Sequence, residues 1–304
     1  HMINRSSVKY ALKKILPNFL FRVILFFWQK ILLRIVTTLD TYRLKKFTTT
    51  KLVELHHNNQ LFSLYISPKN GFIDKHIFLY GVYEPFMLDI ISKYLKPSMT
   101  YIDIGANIGQ HSMYAASIVG ENGKVYAYEP IPKIYEQLLA SSKVNKYDTI
   151  INAYNYALGE KDSKELLNVS KDIGGSSLVN NTGDTEEKIE VIIKKGNDDL
   201  FNLSKIDMVK IDVEGYELEV LHGIKESLIK HHPIILLEYS GEFYKKNTHN
   251  NGTKILTLLI ECGYTLYDIE DNMRNIKDIH IFDVEISNKR MQTNILCRHE
   301  HHEI

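Results

Sequence analysis

The nine residues Tyr101-Ile-Asp-Ile-Gly-Ala-Asn-Ile-Gly109 read as a strand that breaks into a glycine-rich turn and restarts as a helix. In an open α/β sheet such a turn lies at the carboxyl edge of a strand, where ligands bind beside the topological switch point. Gly105 and Gly109 let the backbone turn tightly and approach a ligand closely. Their spacing is G-x-x-x-G, whereas a dinucleotide fingerprint is G-x-G-x-x-G with backbone N–H groups aimed at a pyrophosphate. An acid, Asp103, precedes the first glycine. A carboxylate there repels a pyrophosphate and suits a cation. Glu129, in Tyr128-Glu129-Pro130, ends the next strand at the position where a ribose diol is gripped. S-adenosylmethionine has a sulfonium, an ammonium and a ribose and no phosphate, so these three features point to it and disfavour a nicotinamide dinucleotide.

A second acidic site is Lys210-Ile-Asp-Val-Glu-Gly215, where another strand leaves the sheet. Asp212 and Glu214 emerge there at the edge that carries Asp103 and Glu129. Methyl transfer to an alcohol is an in-line displacement: the hydroxyl must be aligned and must lose its proton as oxygen attacks. Asp212 is placed either to take that proton or to orient the cofactor and cap the following helix, and spacing leaves both open. His111 opens the cofactor helix and faces either the cleft or the surface. The pairs His56-His57 and His231-His232 are neighbours in sequence, and neighbours on a strand point to opposite faces. No ligand spacing assigns a metal; a divalent ion, not itself expected, would sit among carboxylates around Asp212.

These residues need a parallel sheet to bring them together, and the pattern supplies one. Short apolar runs at Thr100–Ile104, Lys124–Tyr128, Ile150–Tyr156, Asp207–Ile211 and Pro233–Glu238 read as strands. Helical patterns at Gly109–Val119, Lys133–Val144, Glu217–Lys230 and Gly252–Cys262 separate most of them. Such alternation predicts a Rossmann-like doubly wound α/β fold, a mostly parallel sheet with helices on both faces. Tyr264–Ile269 and Gln292–Arg298 complete the sheet, Lys51–His56 and Gln60–Ser67 are two earlier strands, and Glu84–Leu95 is an amphipathic helix. Residues 160–200 read as an insertion beside the site, with weaker strands such as Glu187–Ile193. The chain divides into a basic apolar helical arm at 3–50, one domain at 51–298 and a flexible tail at 299–304.

The 304 residues are 44% hydrophobic with 37 basic and 37 acidic side chains, enough for a core and far from a fibrous or disordered composition. Two cysteines cannot build a disulfide framework or a zinc cluster, so nothing points to secretion. Charge is segregated: residues 1–51 hold eleven basic groups and one acid, Asp40, leaving a net of −10 on the rest. An acidic body repels a phosphate backbone, which argues against a nucleic-acid coat. His1-Met2 reads as a cloning scar before the native start.

Pro17 to Val36 is apolar nearly all round, broken by Arg22, Gln29, Lys30 and Arg34. Its uninterrupted run, Val23 to Trp28, is too short to span a bilayer, which takes about 20 residues. Three roles stay open: peripheral contact with a membrane surface, packing against a second copy of the chain, or a cover for the catalytic domain. Deleting residues 3–47 is expected to change liposome association or native mass; if neither moves, the arm is only a packing element.

Four segments, in order, resemble FkbM-type methyltransferases of the class I Rossmann-like S-adenosylmethionine-dependent superfamily. They are Gly81-Val-Tyr83-Glu84-Pro85; Tyr101 to Gly109; Glu129-Pro130 with Asn155-Tyr-Ala157-Leu-Gly159 and Gly174-Gly-Ser-Ser-Leu178; and Lys210 to Gly215 with the Ile234–Glu238 strand. The Thr293-Asn-Ile-Leu296 ending fits as well. The resemblance implies that Asp103, Gly105, Ala106, Asn107 and Gly109 hold the methionine moiety and Glu129 the ribose. It places the Asn155–Ala157 turn by the adenine and Glu84 among the cofactor-binding positions. Asp212, Glu214 and Glu238 would line the reaction cleft. Two departures stand out, the basic arm and Lys195-Gly-Asn-Asp-Asp199 in place of a threonine-led turn.

The family's usual acceptors imply O-methylation of a sugar hydroxyl, during bacterial surface polysaccharide or glycoconjugate assembly. The implied setting is cytoplasmic, peripheral at the inner face of the membrane. Alternatives are another small metabolite, an RNA ribose, or a non-catalytic membrane scaffold that keeps the fold. DNA is not expected: amino-directed DNA enzymes carry an N/D-P-P-aromatic turn where this chain reads Asp212-Val-Glu-Gly.

Overall fold

The structure is a computed structural model. It describes residues 37–170, 185–241, 244, 252–290 and 292–300. The expected helix over 17–36, most of the 3–47 arm, the Gly174–Leu178 segment and the end of the tail lie outside the described residues. The chain divides into two compact units after Thr48. In the first, residues 37–44 are helical and Thr41 Oγ1 donates to Thr37 O at 2.7 Å. Among the described residues no helix is long and apolar enough to cross a membrane.

The second unit is built on an eight-stranded sheet. Its strands are β3 (Thr100–Ile104), β4 (Lys124–Tyr128), β5 (Ile151–Tyr154), β9 (Met208–Ile211), β10 (Ile234–Ser240), β11 (Tyr264–Asp268), β12 (Arg274–Asn275) and β13 (Gln292–His299). Their spatial order is β12-β11-β13-β10-β9-β3-β4-β5. From β10 to β5 every pairing is parallel; β13 runs antiparallel to both β10 and β11. Parallel strands are covered on both faces and therefore read as nearly continuous apolar runs. Every position of β9, Met-Val-Lys-Ile, is buried, the lysine included. This is the doubly wound α/β architecture that the alternating pattern predicts.

Helices α3 (Gln110–Val119), α4 (Pro132–Val144), α6 (Glu217–His231) and α7 (Gly252–Glu261) follow β3, β4, β9 and β10. Gly120 stops α3 at φ 65, a conformation that glycine adopts without strain. Pro85 opens α2 (Pro85–Tyr94) and Pro132 opens α4, first-turn positions where the absent N–H is not missed. The hairpin β1 (Lys51–His57)–β2 (Gln60–Ile66) lies along α4. Ser63 exchanges two hydrogen bonds with the Asn145 side chain, at 2.8 and 2.7 Å, and Tyr65 N donates to Ser141 Oγ at 3.0 Å.

Three local differences from the sequence pattern bear on the site. A helix, α1 (Phe72–Tyr80), stands where no element is expected, bracketed by Gly71 and Gly81 at positive φ. The strand expected over 150–156 stops at Tyr154, because Asn155 turns its amide back to Glu129 O and Pro130 O, at 2.9 and 3.1 Å. The chain restarts as β6 (Ala157–Gly159), which joins β8 (Thr185–Lys195) and β7 (Ser163–Ser170) in a separate three-stranded sheet. The described residues of 160–200 are thus mainly two long antiparallel strands and the one-turn α5 (Gly196–Leu200), more regular than their polar composition suggests.

Candidate functional site

Strand order brings the two acidic motifs together. β3 lies between β9 and β4, with Ile104 paired to both Ile211 and Tyr128, so three loops leave the sheet side by side. Gly105 N and Ala106 N both donate to Tyr128 O at 3.0 Å, and Asp212 N donates to Ile104 O at 3.1 Å. At Gly105, φ 80, an added Cβ would lie 1.8 Å from the Asp212 carbonyl oxygen. The cofactor-type loop and the second acidic motif are therefore in backbone contact, and only glycine permits it. Above them opens a cleft of about 320 Å³, within the usual range of small-molecule sites.

One end of the cleft is organised by Glu129. Its carboxylate accepts from Asn107 N at 2.9 Å and Ile131 N at 2.8 Å, so it pins the glycine loop to the start of α4. Burial pushes its pKa up to about 7, with the two backbone N–H groups pulling the other way. Gly109, φ 87, faces away towards Leu138, whose Cγ an added Cβ would meet at 2.9 Å. Asp103 is fully buried beneath the loop. It accepts from Ser112 Oγ at 2.6 Å and has Lys210 Nζ 3.7 Å from its other oxygen.

The other end is a carboxylate cluster around one ammonium. Lys210 Nζ donates to Asp212 Oδ2 at 2.9 Å. Burial disfavours its charge, but Asp212 and Asp103 outweigh that and hold its pKa above the ordinary lysine range. Burial likewise opposes ionisation of Asp212; the Lys210 ammonium prevails and holds that carboxyl below its ordinary value. Oxygens of Asp212, Glu214 and Glu238 lie within 4.8 Å of one another. Burial, then the Asp212 charge, pushes Glu214 and Glu238 well above the carboxylate range. The same two causes, in the same order, bring Glu84 to about 7.

Backbone geometry aims these groups. Glu84 and Glu214 take left-handed conformations, φ 46 and φ 52, each just before a helix. Behind Glu214, the buried Glu217 accepts from Gly215 N at 3.0 Å and Tyr244 OH at 3.1 Å, which stiffens the turn. The segment carrying Glu84 is clasped to α3: Tyr83 N donates to Gln110 Oε1 at 2.7 Å and Gln110 Nε2 to Tyr83 O at 2.8 Å.

Of the twelve residues singled out from the sequence, nine line the cleft: Gly105, Ala106, Asn107, Glu129, Ala157 and the acids Glu84, Asp212, Glu214 and Glu238. Asp103, Gly109 and Asn155 are not in its wall; they brace the loops that form it. Sequence reasoning passed over Lys210, the ammonium at the centre, although its place in a fully apolar strand is a signal. It also missed Gln110, whose clasp on Tyr83 no local pattern announces. His111, left open as cleft or surface, is 7% exposed and lines the cleft.

The lining thus carries five carboxylates and one lysine. A pyrophosphate would meet the ionised Asp212 and an ammonium already paired with it. Acidic groups accept hydrogen bonds from an ammonium and from a ribose diol, and Asp212 adds an ionised carboxylate, so the residues present fit S-adenosylmethionine.

Comparison with known proteins agrees with this geometry. The methyltransferase FkbM domain matches residues 103–266, more than half of the chain. Methyltransferase 1 of Beauveria bassiana is 24% identical over 227 residues, covering 65% of this chain and 87% of that protein. Hexuronic acid methyltransferase AglP of Haloferax volcanii is 29% identical over 143 residues, 46% of this chain and 55% of that one. Among solved structures, the FkbM methyltransferase of Methylobacillus flagellatus aligns over 73% of this chain and 52% of its own, at 14% identity and a TM-score of 0.41. The match thus spans about half the length of the last two proteins. By the domain it carries, this chain belongs to the FkbM methyltransferase family.

Proposed function

We propose that the chain is an S-adenosylmethionine-dependent O-methyltransferase whose acceptor is a sugar hydroxyl. The observation that carries the reading is the convergence of the glycine loop at 105–107 with Glu129 at one end of the cleft and with Asp212, beside Lys210, at the other. The hexuronic acid methyltransferase among the relatives supports a sugar, and so does a cleft wall rich in carboxylates that can accept hydroxyl hydrogen bonds.

S-adenosylmethionine supplies an electrophilic methyl group on a sulfonium. The glycine loop at 105–107 and Glu129 hold its methionine and ribose portions. Asp212, kept ionised by Lys210, accepts the hydrogen bond of the acceptor hydroxyl and orients it. Asp212 would then take the proton that the hydroxyl gives up on methylation, while Glu214 and Glu238, whose ionisation burial and the Asp212 charge oppose, would frame the acceptor.

Calorimetric titration with S-adenosylhomocysteine, NAD as control, tests the cofactor; methyl transfer to a panel of uronic acids and nucleotide sugars tests the acceptor. Asp212→Asn is expected to lower turnover by about 10²–10⁴-fold, the usual contribution of proton transfer, while S-adenosylhomocysteine affinity moves less than about tenfold. Equal loss of both would make Asp212 a cofactor ligand. Binding of NAD in place of S-adenosylhomocysteine would end the reading.

A further inference from the structure

We propose that Asp212, Glu214 and Glu238 form the protein part of a site for a hard divalent cation, Mg²⁺ or Mn²⁺, facing the cleft. Its role, binding the acceptor hydroxyl and easing loss of the proton, rests on the methyltransferase reading above; the site itself does not.

Three carboxylate oxygens within 4.8 Å of one another repel unless protons or a cation lie between them. Their separation suits a cation: oxygen ligands about 2.0–2.6 Å from an ion lie no more than about 5 Å apart. The Lys210 ammonium bonds one oxygen of Asp212 and is shared with the buried Asp103. Glu238 Oε2 is buried with no hydrogen-bond partner among the described residues.

A second observation points the same way from a different element. His111, on α3, is more than nine-tenths buried, lines the same cleft, and its Nε2 has no partner among the described residues. Burial, with the Lys210 charge adding to it, lowers its pKa against the pull of Asp212. An imidazole nitrogen and a carboxylate oxygen, both enclosed and without a partner among the described residues, are unfavourable unless an ion or an ordered water supplies one. A hydrated cation would meet both: carboxylates on the metal, and the imidazole on a metal-bound water. Oxygen donors in this number select a hard ion over a soft one.

The test is Mn²⁺ titration of the full chain, followed by the loss of the free-ion electron paramagnetic resonance signal, with and without S-adenosylhomocysteine and with Mg²⁺ as competitor. One equivalent should bind saturably, and Mg²⁺ should displace it. Glu238→Gln and Glu214→Gln should each weaken binding by at least about tenfold, since ligand charge sets affinity. Far-UV circular dichroism identifies either variant that fails to fold, and the other then decides. No saturable binding to the unaltered chain in either condition overturns the proposal, leaving the carboxylates to share protons. Unchanged affinity in the folded variants also overturns it, and would put the ion elsewhere, such as the histidine-rich tail. Manganese binding without S-adenosylhomocysteine binding would keep the site and remove the methyltransferase reading; the converse would do the reverse.

Discussion

Lys210→Met is expected to destabilise the chain by about 3–5 kcal/mol at neutral pH, the usual loss when one partner of a buried ion pair is removed. The substituent fills a similar volume, so the loss is electrostatic. Asp103, fully buried, would keep only Ser112, and Asp212 would lose its 2.9 Å partner. The pH dependence follows from the direction of each shift. Asp212 is depressed in the folded chain, so its contribution is present above its unfolded value and lost as pH falls through the folded one. Lys210 is raised, so its contribution is present below the unfolded lysine value and lost only above it, outside the neutral range. With the ammonium gone, both carboxyls rise. The variant's native state then binds protons that its unfolded state has released, so its stability falls as pH rises. The gap between the two proteins should be widest near pH 8 and narrow towards pH 5. Urea denaturation at the two pH values reads it directly. An equal gap at both would mean that Lys210 matters for packing and not for charge.

Gly105→Ala is expected to remove cofactor binding. A left-handed backbone at a non-glycine residue costs about 1–3 kcal/mol of folding stability. The larger effect is steric. The new Cβ would stand 1.8 Å from the Asp212 carbonyl oxygen, which is backbone and has no rotamer to adopt. Relief requires the loops after β3 and β9 to part, and these carry the glycine cradle and Asp212 respectively. Gly120→Ala is the control: it also has positive φ, 65, but nothing lies within 4 Å of its added Cβ. Calorimetry with S-adenosylhomocysteine should find no binding in the first variant and retained binding in the second, with circular dichroism confirming that both fold. Loss in both would point to backbone strain in general and not to the contact with Asp212.

How far the residues themselves announce this site depends on the range of the interaction that sets each one. Local chemistry is legible. The turn after β3 needs glycine, buried parallel strands need unbroken apolar runs, and an acid just beyond such a strand must lie at the carboxyl edge. These constraints act over a few residues, so the sheet, the loop at 105–109, Glu129 and Asp212 can all be read before any coordinates. Asp103 shows where that reading stops. Its position beside the glycines is the same whether it faces a ligand or the core. Pairing of Asp103 with Lys210 across β3 and β9 turned it to the ammonium. His111 is similar, because eight of the ten residues of α3 are buried and an amphipathic period carries no information about which side meets the cleft.

By itself the sequence determined the doubly wound fold, the glycine loop and the acids that end its strands, because backbone sterics and burial act on neighbours along the chain. Tertiary structure alone decided that Asp212, Glu214 and Glu238 converge within 4.8 Å. It likewise decided that Lys210 sits between Asp103 and Asp212, and that Gln110 clasps Tyr83. These pairings join residues up to 107 positions apart, as in Asp103 and Lys210. They follow from strand order, and strand order is set by how the whole core packs.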